Sequence, residues 1–296
     1  MNSPSVLAII LNWRQAALTQ ECVAALQAMA YPALTILVID NGSGDGSAEW
    51  LAAHLPPDVQ VRALPENLGF AGGCNIGLRE ALEKQYDLAL LVNNDAFAAP
   101  QMLARLLEEA APDIGLLSPK IYYAAEPKRI WFGGGRMSRR TLDLQETGRG
   151  ELDGPRWAQS RDVDYLLGTC LLVNLPAAAA IGLLDEQFFM YFEDLDWSLR
   201  MRQAGYRLRL VAGAHLYHQV AVSSGGLETA GRRYHLARSG VIFWRRHARL
   251  GKPGLIFLFR LGSGLKMVAR LLVWGKTAVL RAYLRGLRDG WRAVAQ

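Results

Sequence analysis

Cysteine is scarce in this chain: Cys22, Cys74 and Cys170 stand far apart among 296 residues, and no CxxC occurs. An odd, scattered set fits neither a disulfide framework nor a zinc knuckle and points to a reducing compartment. The opening lacks a basic segment, and its apolar run from Val6 to Leu11 is too short for a signal-peptide core. Long charge-free runs are nearly missing as well. The 20 residues from Tyr165 to Leu184 form one, but Gly168, Thr169, Asn174 and Pro176 interrupt it. It therefore predicts strand, turn and short helix in a soluble core, not a membrane span. After the first apolar run stands LNWRQAAL where a nicotinamide-binding Rossmann sheet needs GxGxxG, which argues strongly against a dehydrogenase.

Hydrophobic residues make up 51% and charged residues 20%, which suits one large globular domain or two modest ones. The net charge of +6 conceals a division. Residues 232–296 hold fifteen Lys/Arg against Asp289 alone, a net +14, whereas residues 1–231 hold 18 Lys/Arg against 26 Asp/Glu, a net −8. An acidic body with a basic tail predicts that the tail meets something anionic.

The first half alternates two periods. Aliphatic runs at 5–11, 34–40, 59–64, 87–92 and 114–118 predict strands. Between them helices are predicted at 15–29, from Asp45 or Ser47 to about His54, near 75–85 after a glycine-rich loop, and from Pro100 to about Ala110. Strands without polar alternation, each followed by a helix, imply a mostly parallel α/β sheet covered on both faces, with ligands beyond the carboxyl ends of its strands. From about Glu126 to Arg161 the pattern loosens into an excursion with short strands. Later come strands around 162–174, a helix over 194–204 and a strand at 208–213.

Polar clusters sit where those strands end: Asp40-Asn41-Gly42-Ser43, PENLGFAGGCNIG (65–77), Asn93-Asn94-Asp95, the acids Glu193, Asp194 and Asp196 in FFMYFEDLDW, and His218 in HLYHQVAVSSGG. Each has an ordinary reading. Asp40 could form a turn, Asp95 or the three later acids could favour a helix N-terminus, the glycines could serve only a turn, and His218 could be a satisfied core histidine. Their joint order along one sheet favours a shared task. Asp40 can accept the imide N–H of a uracil or thymine base. Asp95 and His218 offer a carboxylate and an imidazole to a divalent cation on a diphosphate. Asp194, framed by Phe192, Leu195 and Trp197, can keep a raised pKa suited to a general base.

AIILNW (8–13), VIDNGSGDGS (38–47), ENLGFAGGCNIGL (66–78), LLVNND (90–95), FFMYFEDLDWSLRMRQAGY (188–206) and His218 together resemble family 2 glycosyltransferases of GT-A fold, and within them the bacterial rhamnosyltransferases, over roughly residues 5–245. The resemblance implies an inverting transfer in which Asp40 binds the base beside Asn12, and Asp95 with His218 holds Mg2+ or Mn2+. It makes Asp194, paired with Glu193, the base toward the acceptor hydroxyl. Asn93 stands where the family's DxD motif begins, so the site carries one fewer negative charge. The Asn-Asn-Asp variant is similar to that of rhamnosyltransferase-like members, a resemblance that implies a dTDP-deoxysugar such as dTDP-rhamnose over a UDP-sugar. The donor sugar would be selected within Asn67–Asn75, including Gly72, and by Gly168 and Thr169, and Arg238 would stand near the donor. The acceptor would be lipid-linked or a polysaccharide in cell-surface glycan synthesis. The alternatives are a UDP-hexose enzyme of the same family and a non-catalytic nucleotide-sugar-binding module, which could dispense with Asp194 and His218.

The expected organisation is a GT-A catalytic domain over 1–231, with a nucleotide-binding half (1–120) and an acceptor half (121–231), followed by a basic helical tail over 232–296. Within the tail, 232–249 predicts a helix. Beyond Pro253, Lys266, Arg270, Arg281, Arg285, Arg288 and Arg292 share a face roughly 100° wide on one helical wheel, which Gly275, Gly286 and Gly290 would break or loosen. Apolar residues opposite such a face predict an interfacial helix on anionic lipid, on the cytoplasmic side of the cell membrane. A basic face packed on the protein is the alternative. Nucleic acid is excluded by the large apolar residues between the charges and by the absence of a recognition module.

Overall fold

The computed structural model describes residues 3–220 and 229–293; the AVSSGG part of the His218 segment lies outside them. The first half follows the predicted alternation: β1 (Val6–Asn12), α1 (Ala16–Gln27), β2 (Leu34–Asp40), α2 (Ser47–His54), β3 (Gln60–Ala63), α3 (Gly69–Glu83) and β4 (Leu88–Asn93). β5 (Ala96–Ala98), α4 (Met102–Glu108) and β6 (Ile114–Tyr123) come next. The loosened stretch folds as β7 (Glu126–Phe132), β8 (Gly135–Met137), β9 (Leu144–Glu146) and β10 (Arg161–Asp162). The charge-free run becomes β11 (Cys170–Asn174) and α5 (Leu175–Ile181), with the Asn174 side chain accepting the Ala177 N–H at 3.2 Å as an N-cap. After them come α6 (Glu193–Gln203), β12 (Arg207–His218), α7 (Ala230–His247), α8 (Pro253–Val273) and α9 (Thr277–Ala293).

The ten-stranded sheet runs β10-β12-β6-β11-β4-β1-β2-β3, with β5 added on β12 and β7 on β6. β4, β1, β2 and β3 are mutually parallel, β12 is parallel to β6, and β11 runs antiparallel between β4 and β6. Aliphatic residues of β1, β2, β4 and β11 are sealed from water on both sheet faces, each Leu, Ile or Val contributing about 1.5–3 kcal/mol by burial. Cys22, Cys74 and Cys170 are buried free thiols in this core.

Two expectations need correction. The glycine-rich loop before α3 is largely helix, because α3 begins at Gly69 and not near Asn75. Glycine costs about 1 kcal/mol against alanine in a helix interior, but a Cβ on Gly73 would collide with Leu11 and one on Gly77 would lie 2.7 Å from Ile9. The missing side chains let α3 lie hard against β1. Beyond Pro253 the expected break at Gly275 is present, since Gly275, at φ +64°, follows the end of α8, but the single basic face drawn across it needs correction. Lys266 and Arg270 therefore belong to α8 and the other four basic residues to α9, so they share no single face. Gly286 and Gly290 do not loosen α9. They bring its backbone against the carbonyls of Tyr234 and Arg238 on α7. α7 joins both parts, giving Ile242 and Phe243 to the main core and Ala237 to a smaller cluster with Leu271, Val279 and Tyr283.

Gly77→Val should lower stability by about 1–3 kcal/mol through overpacking, whereas Gly262→Ala, where an added methyl meets nothing within 4 Å, should be neutral or stabilising. Urea unfolding of both variants checks this; a Gly77→Val as stable as the parent would contradict the close α3–β1 contact.

Candidate active site

Parallel register aligns the first part of the site. Asn12 and Asp40 are opposite partners at the ends of β1 and β2, and Asn93 ends β4 beside Leu11. Asp40 is buried, and its carboxylate accepts from Asn12 Nδ2 at 2.6 Å, Ser43 N–H at 3.0 Å and Ser43 Oγ at 2.6 Å. Thr19 Oγ1 donates to Asn12 Oδ1 at 2.7 Å, which orients the amide toward Asp40. Neutral donors thus fix this carboxylate without cancelling its charge. The sequence reading missed this collar of Ser43 and Thr19, although Ser43 three residues after Asp40 was its local signal. Asn67 lies next to it, accepting from Gly69 N–H at 2.8 Å and Asn41 Nδ2 at 3.1 Å.

A short strand with no periodic signal assembles the second part. Asn94 and Asp95 turn β4 into β5, and β5 pairs antiparallel with β12 so that Ala96 lies opposite His218. This register brings His218 Nε2 to 3.2 Å from Asp95 Oδ1, both residues buried, with the Trp131 ring edge-on to the imidazole at 4.5 Å. His218 Nδ1 has no hydrogen-bond partner among the described residues. Among those residues no three His, Cys, Asp or Glu side chains gather to hold a metal ion by themselves. One carboxylate and one imidazole with a spare ring nitrogen do fit Mg2+ or Mn2+ when diphosphate oxygens and water complete the shell.

The third part is Asp194 in the first turn of α6. Gly168, just before β11, donates its N–H to Asp194 Oδ2 at 2.8 Å, and neighbouring Thr169 accepts the Asn93 N–H through its carbonyl at 3.0 Å. The chain therefore links Asp194 to the end of β4 through two backbone contacts. Burial pushes Asp194 up to about 6, against the lowering effect of the Gly168 and Leu195 amides. Glu193 is buried with Oε2 unpartnered among the described residues, and burial, then the Asp194 charge, hold its carboxyl well above the usual range.

The loop before α6 is strained, with Phe189, Tyr191 and Phe192 at φ +50°, +66° and +71°. α7 and α3 clamp it. Ser239 Oγ lies 3.0 Å from Phe188 O and 2.9 Å from Met190 O, His235 stacks on Phe189, and the Phe70 N–H reaches Phe189 O at 2.6 Å. Arg238 donates to Gln187 O at 2.6 Å. Arg238 is thus part of this clamp, and among the described residues no hydrogen bond or ion pair joins it to Asp40, Asp95 or Asp194. Gly72 lies buried inside α3 with Leu68 filling the space beside it. No short-range pattern betrayed Ser239 or Trp131, since their partners lie far along the chain.

Asp196 is a different kind of acid. It is fully buried, its Oδ2 meets Arg200 Nε at 2.8 Å, and its Oδ1 meets His247 Nε2 at 2.8 Å and Arg246 Nη1 at 3.0 Å. Burial alone would raise its pKa, but His247 and the two guanidiniums hold it below the usual range. It ties α6 to α7. A separate open cleft of about 600 Å3, lined by Arg136, Arg156, Trp157 and Arg161 among others, lies on the 133–164 excursion and contains none of Asp40, Asp95 or Asp194.

The family model described as glycosyl transferase family 2 matches residues 5–163. The chain is 28% identical over 217 residues to the N-acetylglucosaminyl-diphospho-decaprenol L-rhamnosyltransferase of Mycobacterium tuberculosis, covering 65% of this chain and 68% of that protein. Its fold is similar to that of the mannosyltransferase PcManGT from Pyrobaculum calidifontis in complex with GDP-Man and Mn2+ (TM-score 0.60, 18% identity, 100% of this chain and 86% of that one). It is also similar to GalNAc-T7 with UDP, GalNAc and Mn2+ (TM-score 0.61, 14% identity, 82% of this chain), of which it spans about half, 48%.

Asp196→Ala should cost about 3 kcal/mol by leaving the partly buried Arg200 and Arg246 guanidiniums without their buried partner, whereas Asp194→Asn should cost about 1 kcal/mol, since Asp194 is half-buried and the isosteric change breaks no ion pair. Urea unfolding separates the two. Equal losses would contradict the division between an acid locked in ion pairs and one held by backbone amides alone.

Proposed function

We propose that this chain, which belongs to glycosyl transferase family 2 and has its GT-A fold, moves L-rhamnose from a dTDP-linked donor to a lipid-linked or polysaccharide acceptor with inversion. One observation carries the reading: Asp40 with its neutral collar, the Asp95–His218 contact and Asp194 on its Gly168 amide lie along one edge of one sheet. The similarity to a lipid-linked L-rhamnosyltransferase supports the donor and acceptor class, as does Asn93 in place of an acid. A role in cell-surface glycan synthesis at the cytoplasmic face of the membrane follows from that acceptor. Residues 1–231 form the catalytic domain in this reading and 232–296 its membrane-facing extension, with α7 shared between them.

In the proposed reaction Asp40 accepts the imide N–H of the thymine ring, and Asn12 keeps that carboxylate aimed. Asn67, Gly168 and Thr169 border the sugar, while Gly72, buried within α3 against Leu68, does not face it. Asp95 and His218 would hold Mg2+ or Mn2+ against the diphosphate, which would supply positive charge to the leaving group. Asp194 takes the proton of the acceptor hydroxyl as its oxygen bonds to the anomeric carbon and the bond from that carbon to the phosphate oxygen breaks. Nucleoside diphosphate leaves and the configuration inverts. Its elevated pKa brings Asp194 close to the working pH, where a general base is most effective. Glu193, whose carboxyl is raised by burial and then by the Asp194 charge, borders the same acceptor side beside Asp194.

Asp194→Asn should reduce transfer by about 10^2–10^4-fold, the range for a lost general base, and leave dTDP binding within about twofold. Retained turnover would reject Asp194 as base. A panel of nucleotide sugars with Mg2+ or Mn2+, scored by released nucleoside diphosphate, checks the donor; if dTDP-rhamnose is ignored and a UDP-hexose consumed, the donor reading falls.

A further inference from the structure

We infer that the outward face of α8 is a membrane-docking surface that seats in the headgroup region of an anionic bilayer, with α9 as a strut and not as the inserted helix. The inference rests on the membrane-surface reading above and deepens it by assigning the contact to one helix and one face. Of fourteen exposed large hydrophobic residues, nine fall between Leu255 and Trp274. Leu258, Leu261, Leu265 and Leu272, exposed by 61, 48, 62 and 58%, recur at helical spacing along one side of α8. The opposite side is already used: Ile256 and Leu271 are buried, and Arg260 stacks 3.7 Å over Trp244 and donates to Leu142 O at 3.1 Å. A helix whose inner face is packed and whose outer face is leucine lacks a cover for that outer face.

Charge selects the occupant. From Arg245 to Arg292 there are twelve Lys/Arg and one acid, Asp289, and Lys266, Arg281, Arg285, Arg288 and Arg292 are exposed. Two copies of so basic a surface would repel each other, whereas anionic lipid attracts it. Trp274, half exposed with Arg270 and Lys276 against its ring at 4.9 and 5.4 Å, gives α8 an end suited to the water–lipid boundary. No described helix is long and apolar enough to cross a membrane, so α8 lies in the plane of the interface. α9 offers no leucine face: Val279, Ala282, Tyr283, Gly286 and Gly290 are buried in its packing, and its outward side carries Arg281, Arg285, Arg288 and Arg292 with Leu284 and Trp291 as its exposed large hydrophobic residues.

The placement serves the site. Arg260 of α8 stacks on Trp244, and the Trp244 ring meets Phe192 edge-on at 5.1 Å, two residues before Asp194. A bilayer held by α8 would therefore lie near the loop that carries the base, where a lipid-linked acceptor must arrive.

The test uses the full chain and vesicles of phosphatidylcholine with phosphatidylglycerol at 3:1, or of phosphatidylcholine alone, in 0.1 M salt without donor or acceptor. The chain should co-sediment with the anionic vesicles at least tenfold more tightly than with neutral ones. Leu258→Gln/Leu265→Gln/Leu272→Gln should lose at least tenfold in that affinity, keep its melting temperature, and keep transfer to a soluble acceptor analogue within about twofold. Unchanged vesicle binding by this variant overturns the inference. A dimer of the parent chain that the variant disperses, without vesicle binding by either, also overturns it and assigns the face to a second copy. Vesicle binding that depends on the three leucines in a chain that transfers no sugar would support the surface while contradicting the transferase reading.

Discussion

A carboxylate inside a protein can be held by cations or by oriented neutral dipoles, and the candidate site of this protein depends on which is used where. Asp196 takes the first course, with two guanidiniums and an imidazole, and its charge is spent on joining α6 to α7. Asp40 and Asp194 take the second, held by an amide, a hydroxyl and backbone N–H groups. Dipoles fix position and leave net charge for a ligand to meet. Three acids within a few residues or one sheet edge can thus have opposite destinies. Packing alone does not separate them, since Asp40 and Asp196 are both buried.

That arrangement is held from behind. The loop that aims Asp194 contains three non-glycine residues at positive φ, a conformation that costs of order 1–3 kcal/mol each and persists only under constraint. α7 supplies much of it through Ser239, His235 and Arg238, and α7 in turn is backed by α9 at Gly286 and Gly290. The basic extension is therefore continuous, contact by contact, with the loop that leads into Asp194. The fold does not place the tail beside the enzyme as an independent appendage.

How much of this was legible in the sequence follows from the range of the forces involved. β1, β2 and β4 declare themselves by unbroken aliphatic runs, and their common edge follows from parallel pairing, so Asn12, Asp40 and Asn93 could be placed together. The rejection of a membrane span at 165–184 rested on local breakers and agrees with β11 and α5. β5 was not legible: three residues carry no period, yet their pairing with β12 is what brings His218 to Asp95. The start of α3 was misjudged because glycine's local preference opposes helix, and only the distant Leu11 and Ile9 side chains reverse the balance. The single-wheel reading of the tail failed for the converse reason, since the turn at Gly275 resets the helical phase. Ser239 and Trp131 act across long sequence separations that no spacing rule reaches.

In the proposed reaction Asp194 is a base whose affinity for a proton is set by its half-buried position and a few amide dipoles. The most direct measurement is the pH dependence of kcat/KM for sugar transfer, with the donor saturated with Mg2+ or Mn2+ and the acceptor varied. Burial places this carboxyl at about 6, and only its ionised form accepts a proton. The rate should be steady near neutrality and fall tenfold per pH unit below a midpoint near 6. A rate that stays level down to pH 4.5, or one that rises with acid, would contradict the account.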